Sequence, residues 1–129
     1  MTTKTTTAAG SNAARAQQCA HLNDLCRAGT LKQSRVVFTR GCIDAFCDPD
    51  DRLSLFAVQA EILSKVRGHV FAEGDDPHGE RDFGAFEHRG KRLFWKIDYY
   101  DPSLSFGSEQ PTDLAKTHRV LTIMLVSEY

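Results

Sequence analysis

Apolar residues along this chain change their spacing several times, and each change marks an element. Between Asn12 and Gly29, Cys19, Leu22 and Cys26 fall at helical spacing, with Ala20 and Asn23 among them. This predicts a helix over residues 13–28, with Asn12 as its cap and Gly29 as its stop. Residues 35–40, Arg-Val-Val-Phe-Thr-Arg, are β-branched and aromatic and end at Gly41, the pattern of a strand. From there Leu53, Phe56, Ala60, Leu63 and Val66 return every three or four positions. Asp48 can cap, Pro49 fits the first helical position, and Lys65 and Arg67 complement the far end before Gly68. A second helix is therefore expected over residues 49–67.

The second half alternates. Residues 69–72 read as a short strand, and an acidic, turn-rich stretch follows to Glu80. Residues 82–88 and 91–100 then form a hairpin about Arg89-Gly90. A two-residue loop there makes partners sum to 179. Glu87 then faces Arg92 and Arg81 faces Asp98, while Phe86 faces Leu93, Gly84 faces Trp95 and Asp82 faces Ile97 on the core side. Residues 120–126 are so apolar that periodicity alone does not separate helix from strand. Leu, Met, Ala and Glu, with Thr112 or Asp113 as cap, favour a terminal helix packed on the sheet. The sum is one α+β domain over residues 13–129: a central antiparallel hairpin extended to three or four strands, with about three helices packed on it. The Thr-rich residues 1–12 have nothing large to bury and are expected to be an unordered tail.

Composition agrees with one core: 129 residues, 41% of them hydrophobic. The net charge of −1 argues against a nucleic-acid partner. That charge is unevenly spread, because residues 1–47 hold 6 basic and 2 acidic side chains, against 10 and 15 over residues 48–129. Without a long apolar run or an apolar leader, the chain is expected to be cytoplasmic and to stay off the membrane. Cys19, Cys26, Cys42 and Cys47 match neither a zinc knuckle nor a redox pair, and read as small packing side chains.

The candidate chemistry lies in the centre. His78, Glu80 and Asp82 alternate, so a strand extended back to them would project all three beside Trp95 and Ile97. An ionised Asp82 facing a core needs a partner, for which His118 or Arg119 is the candidate. Two readings follow. The trio forms a divalent-metal site, with Asp98 or Tyr99 nearby, hydrolysing a phosphoester. Alternatively it belongs to a structural polar network that fixes the acidic loop, and this is the favoured reading. Catalytic candidates are then Asp82, His118 and Asp98; binding candidates are His78, Glu80, Asp82, Trp95, Lys96, Tyr99, Tyr100 and Arg119. Lys96, opposite Phe83 and beside Phe94, is the one place where an exposed sheet face can stack nucleic-acid bases.

Four blocks carry a family resemblance: residues 76–86 (Asp-Pro-His-Gly-Glu-Arg-Asp-Phe-Gly-Ala-Phe), residues 94–101 (Phe-Trp-Lys-Ile-Asp-Tyr-Tyr-Asp), residues 106–108, and residues 117–129. Together they resemble the signature of the bacterial domain of unknown function 3768 family. Residues 22–27 and 36–41 are similar to its weaker first half. The resemblance spans residues 20–129 and implies a small bacterial cytosolic domain, often met on plasmids or other mobile elements. It implies no activity, so no catalytic role is carried over. Glu109-Gln110 and the cysteines depart from the pattern away from its central blocks. The expected function is a non-enzymatic binding or accessory module of a mobile element, acting through a protein partner and needing no cofactor. The rival is the metal-dependent hydrolase.

Overall fold

A computed structural model describes the backbone of residues 3–129 and the side chains from Asn12 onward. The first helix runs on from Thr3 through Asn12, across the stretch expected as an unordered tail, so Asn12 lies inside it and is not its cap; Met1, Thr2 and the side chains before Asn12 lie outside the description. The elements are α1 (Thr3–Arg27), β1 (Ser34–Phe38), α2 (Arg40–Phe46), α3 (Arg52–Arg67), β2 (Phe83–His88), β3 (Lys91–Tyr100) and β4 (His118–Leu125). Single 3-10 turns lie at Leu114–Lys116 and Val126–Glu128. The sheet runs β1-β4-β3-β2, with β1 parallel to β4 and the other two pairs antiparallel.

The hairpin has the expected register. Phe83 faces Lys96, Gly84 faces Trp95, Phe86 faces Leu93 and Glu87 faces Arg92. Arg89 and Gly90 have φ of 48° and 80°, the doubly positive turn whose twist matches two antiparallel strands. Trp95 is wholly buried, and its indole fills the space that a side chain at residue 84 would take. A Cβ on Gly84 would sit 2.4 Å from Trp95 Nε1 and 2.8 Å from His69 Cε1. Residues 69–72 form no strand; His69 and Phe71 instead pack edge-on against the indole.

The terminal helix expected over residues 120–126 is instead strand β4, second in the sheet. The reason is burial on both faces. Leu121 and Ile123 face the helices while Met124, 6% exposed, lies on the other side. A strand enclosed in this way is apolar at successive positions, which is why its period vanished. Asp113 does cap, but only the Leu114–Lys116 turn. The third helix is α2, just after β1. Its cap Thr39 accepts from Cys42 N–H and donates to Glu128 Oε1 at 2.7 Å.

Helix α3 begins later than expected, with Asp51 rather than Asp48 as cap, and stops at Gly68 as read. Its buried residues are Val58, Ile62 and Val66, so the expected apolar face is rotated. Leu53 is 79% and Phe56 66% exposed. One core joins Cys26 of α1, Cys42 of α2 and these three residues of α3 to Leu93, Trp95, Ile97, Leu121 and Ile123. All three helices thus cover one face of the sheet. On the other, Phe83 and Phe94 pack with Tyr129 at the chain end. No described helix is long and apolar enough to cross a membrane.

Trp95→Ala is expected to cost about 3–5 kcal/mol, as loss of a fully buried aromatic does, and so to consume much of a typical domain's stability. Denaturant unfolding checks this, and a midpoint equal to wild type would contradict a buried indole.

Candidate functional site

The buried stripe of α1 contains two polar residues, Asn23 and Arg27, and the site grows from the first. Asn23 is fully buried between Cys19 and Cys26. Its Nδ2 donates to the Glu80 carbonyl at 2.9 Å and to Tyr99 Oη at 2.8 Å, and its Oδ1 accepts from Arg119 Nε at 2.8 Å. Arg119, likewise fully buried, donates to the Pro111 carbonyl at 2.6 Å and lies 5.0 Å over the Tyr99 ring. Tyr99 Oη donates to Glu80 Oε1 at 2.8 Å. The Cys19 sulfur sits 3.2 Å from Tyr99 Oη and 3.3 Å from Glu80 Oε1. Four separate segments, namely α1, the acidic loop, the end of β3 and the start of β4, are tied at one point.

A cleft of about 670 Å³ opens above this point, lined by Arg15, Cys19, His78, Glu80, Glu109 and Gln110 among others. Its floor is chemically quiet. Burial pushes the Cys19 thiol up, and Glu80 adds to the rise, so the sulfur stays protonated at neutral pH and is a poor nucleophile. Burial likewise pushes Tyr99 far above the phenol range, which removes it as a general acid or base.

Beside the network, Asp24 holds a second clamp. Arg81 meets it with Nε at 3.0 Å and a terminal nitrogen at 2.6 Å, and Arg27 meets it from the next turn of α1. Burial works to raise the Asp24 pKa, but the two guanidiniums outweigh it and hold the carboxyl below its ordinary value. Arg27 also donates to the Val66 carbonyl at 3.0 Å and lies over the Trp95 ring, which joins α1 to α3 beneath the indole.

The candidate trio does not converge. Gly79 and Arg81 have φ of 71° and 51°, so residues 78–82 turn instead of alternating. His78 is exposed at the cleft, whereas Glu80 is held in its floor. Asp82 extends the hairpin by one backbone bond, its carbonyl accepting from Ile97 N–H at 2.8 Å. Its carboxylate has no ion pair among the described residues, and burial, with Glu80 nearby, raises its pKa. The expected partners lie elsewhere: Arg119 is committed to Asn23 and Pro111, and His118 is on the far face beside Tyr100. Arg81 turns to Asp24 rather than Asp98, and Asp98 pairs with Lys96 at 2.7 Å on the far face. Among the described residues no three His, Cys, Asp or Glu side chains are grouped to hold a metal ion. Trp95 and Arg119 are too buried to touch a partner.

Cys19, Asn23 and Asp24 are the network members not foreseen as such. The available signal was Asn23 itself, a polar residue at helical spacing on a buried stripe, which requires hydrogen-bond partners from another element.

Fold and site define a two-layer α+β domain whose helices are fastened to one sheet face by buried polar clamps. The chain belongs to DUF3768, a family of proteins of unknown function, which matches residues 48–128. The match includes Glu80, Tyr99 and Arg119 but stops short of Cys19, Asn23 and Asp24 in α1. No curated protein and no solved structure matches the chain.

Asn23→Leu removes the partner of Arg119 Nε and of the Glu80 carbonyl, and is expected to lower the unfolding free energy by about 1–3 kcal/mol for the buried groups left unpaired. Chemical denaturation measures it, and a variant as stable as wild type would show the network to be dispensable. A pH dependence follows from His69 and His88, both held below their ordinary value chiefly by burial. Their folded pKa lies below the unfolded one, near 6.5, so the unfolded chain takes up protons first. This contribution is therefore complete above about pH 6.5 and is lost as pH falls from there towards the folded values. Urea midpoints should be flat from pH 8 to about 7 and lower at pH 5.5.

Proposed function

We propose that the protein is a non-enzymatic binding module that acts through a protein partner docked on the outer face of α3. The observation that carries this reading is the exposure of Leu53 and Phe56, at 79% and 66%, one turn apart on a helix whose opposite side is the core stripe. At 100° per residue, Leu53, Phe56, Ala57 and Ala60 lie across the helix from Val58, Ile62 and Val66. Helices that recognise apolar grooves present anchors at this i, i+3 spacing. The matching partner surface is an apolar groove that takes both side chains, with polar groups at its rim to meet Arg52 and Glu61.

The polar network supports the same reading from the other side. Its hydrogen bonds tie α1, the acidic loop, β3 and β4 together and hold the scaffold in place, as a presented surface requires. The mobile-element setting implied by the family resemblance belongs to this proposal.

The test combines Leu53→Ser with Phe56→Ser. Because both residues are exposed, each substitution is expected to change stability by no more than about 0.5 kcal/mol. A photo-crosslinker placed at Ala57 should capture one specific partner in the native host. The double variant should lower that capture by roughly tenfold or more, the loss expected when central anchors are truncated. Capture unaffected by the double substitution, or a core-sized loss of stability, would overturn the proposal.

A further inference from the structure

A second feature lies where the C-terminal half of α3 meets the hairpin turn. A groove of about 580 Å³ is lined there by Ala60, Glu61, Ser64, Lys65, His88 and Arg89. His88 is only 3% exposed, and neither ring nitrogen has a hydrogen-bond partner among the described residues. Buried imidazoles are seldom left this way. The ring is fixed edge-on against Phe46 of α2 at 5.0 Å, which supplies no polar atom. Glu61 Oε2 lies 3.6 Å from Nε2, too long for a hydrogen bond. That carboxylate is instead drawn to Arg89, 3.0 Å away.

The charges facing His88 are Glu61 and Lys65 from α3 and Arg89 from the turn: two cations and one carboxylate. Lys65 uses one donor on the Glu87 carbonyl at 3.0 Å and retains two. The Glu61–Arg89 pair is half-exposed on both sides, at 49% and 53%, and such pairs hold weakly in water.

We propose that this groove binds a phosphoryl oxyanion, as free phosphate or a phosphate monoester, and that Glu61 is its displaceable internal substitute. Once Glu61 swings into solvent, what remains is Arg89, Lys65, the Ser64 hydroxyl and an imidazole N–H, each able to turn a donor towards an anion, with a net charge of about two. A phosphate dianion carries twice the charge of the carboxylate it replaces and offers more acceptor oxygens, so it can meet several of these donors at once. Burial, with Lys65 and Arg89, keeps His88 uncharged in the free protein. An anion seated against the ring would favour the imidazolium and raise its pKa.

The experiment is a titration of ¹⁵N-labelled protein at constant ionic strength with inorganic phosphate, with O-phosphoserine, and with acetate as control. Saturable shifts confined to residues near Ser64, His88 and Arg89, with an upward move of the His88 titration, are expected for the phosphates and not for acetate. Glu61→Gln and Arg89→Ala change exposed side chains and should fold. Glu61→Gln should tighten phosphate binding by roughly threefold or more, and Arg89→Ala should weaken it by at least as much. Tighter binding of one phosphate probe distinguishes an ester from the free ion, and either result supports the site. Linear, non-saturating shifts, an equal response to acetate, or a Glu61→Gln variant whose affinity is unchanged or weaker would overturn it.

Discussion

The indole of Trp95 seated on the bare backbone of Gly84 is the contact on which the rest of this molecule depends. A one-residue slip of the hairpin would turn the indole to the opposite face and set a side chain where glycine now leaves room. With the register held, Leu93 and Ile97 fall on the same face as Trp95, and β4 adds Leu121 and Ile123 beside them. That continuous apolar surface is what gathers α1, α2 and α3 on one side of the sheet. It also leaves the far face and the outer side of α3 for other uses.

Polar groups do the fastening where apolar ones run short. The described part of α1 buries Cys19, Ala20 and Cys26 but no large aliphatic side chain, so its attachment rests on Asn23, on the Asp24–Arg81 pair and on the Arg27 bond to the Val66 carbonyl. Burying the Arg119 guanidinium is costly, and it is tolerated because Asn23, the Pro111 carbonyl and the Tyr99 ring receive it. Such an arrangement adds little net stability over an apolar one, but it makes wrong pairings expensive and so selects one docking of the helix. The positive φ of Arg81 belongs to the same device: the turn it makes delivers its guanidinium to Asp24 and Glu80 to Tyr99.

The fold separates rigid from available surface. The clamped end holds a cleft whose thiol and phenol are both kept protonated by burial. At the other end, α3 carries apolar side chains on its outer side and, one to two turns later, a pair of cations around a shielded histidine. These two features are close along one helix and differ in chemistry, and they meet at Ala60 and Glu61.

Local chemistry alone determined the hairpin, its Arg89-Gly90 turn, the inward indole and the Gly68 stop, because each depends on neighbours in sequence: turn residues, alternation and cross-strand pairs a few positions apart. Of the central polar residues read as one structural network, Glu80 joins such a network while His78 and Asp82 do not, and the partners Cys19 and Asn23, 80 and 76 residues from Tyr99, were not legible. Tertiary structure decided the remainder. The run over residues 118–125 became a strand only because β1 and β3 flank it and supply hydrogen bonds on both edges. The apolar face expected for helix α3 was Leu53, Phe56, Ala60, Leu63 and Val66, and packing on the sheet instead buried Val58 and Ile62 together with Val66. Arg81 was expected opposite Asp98, and a backbone turn at Gly79 and Arg81 delivered it to Asp24 instead. In each case the deciding interaction joins residues distant in the chain, which periodicity and spacing do not register.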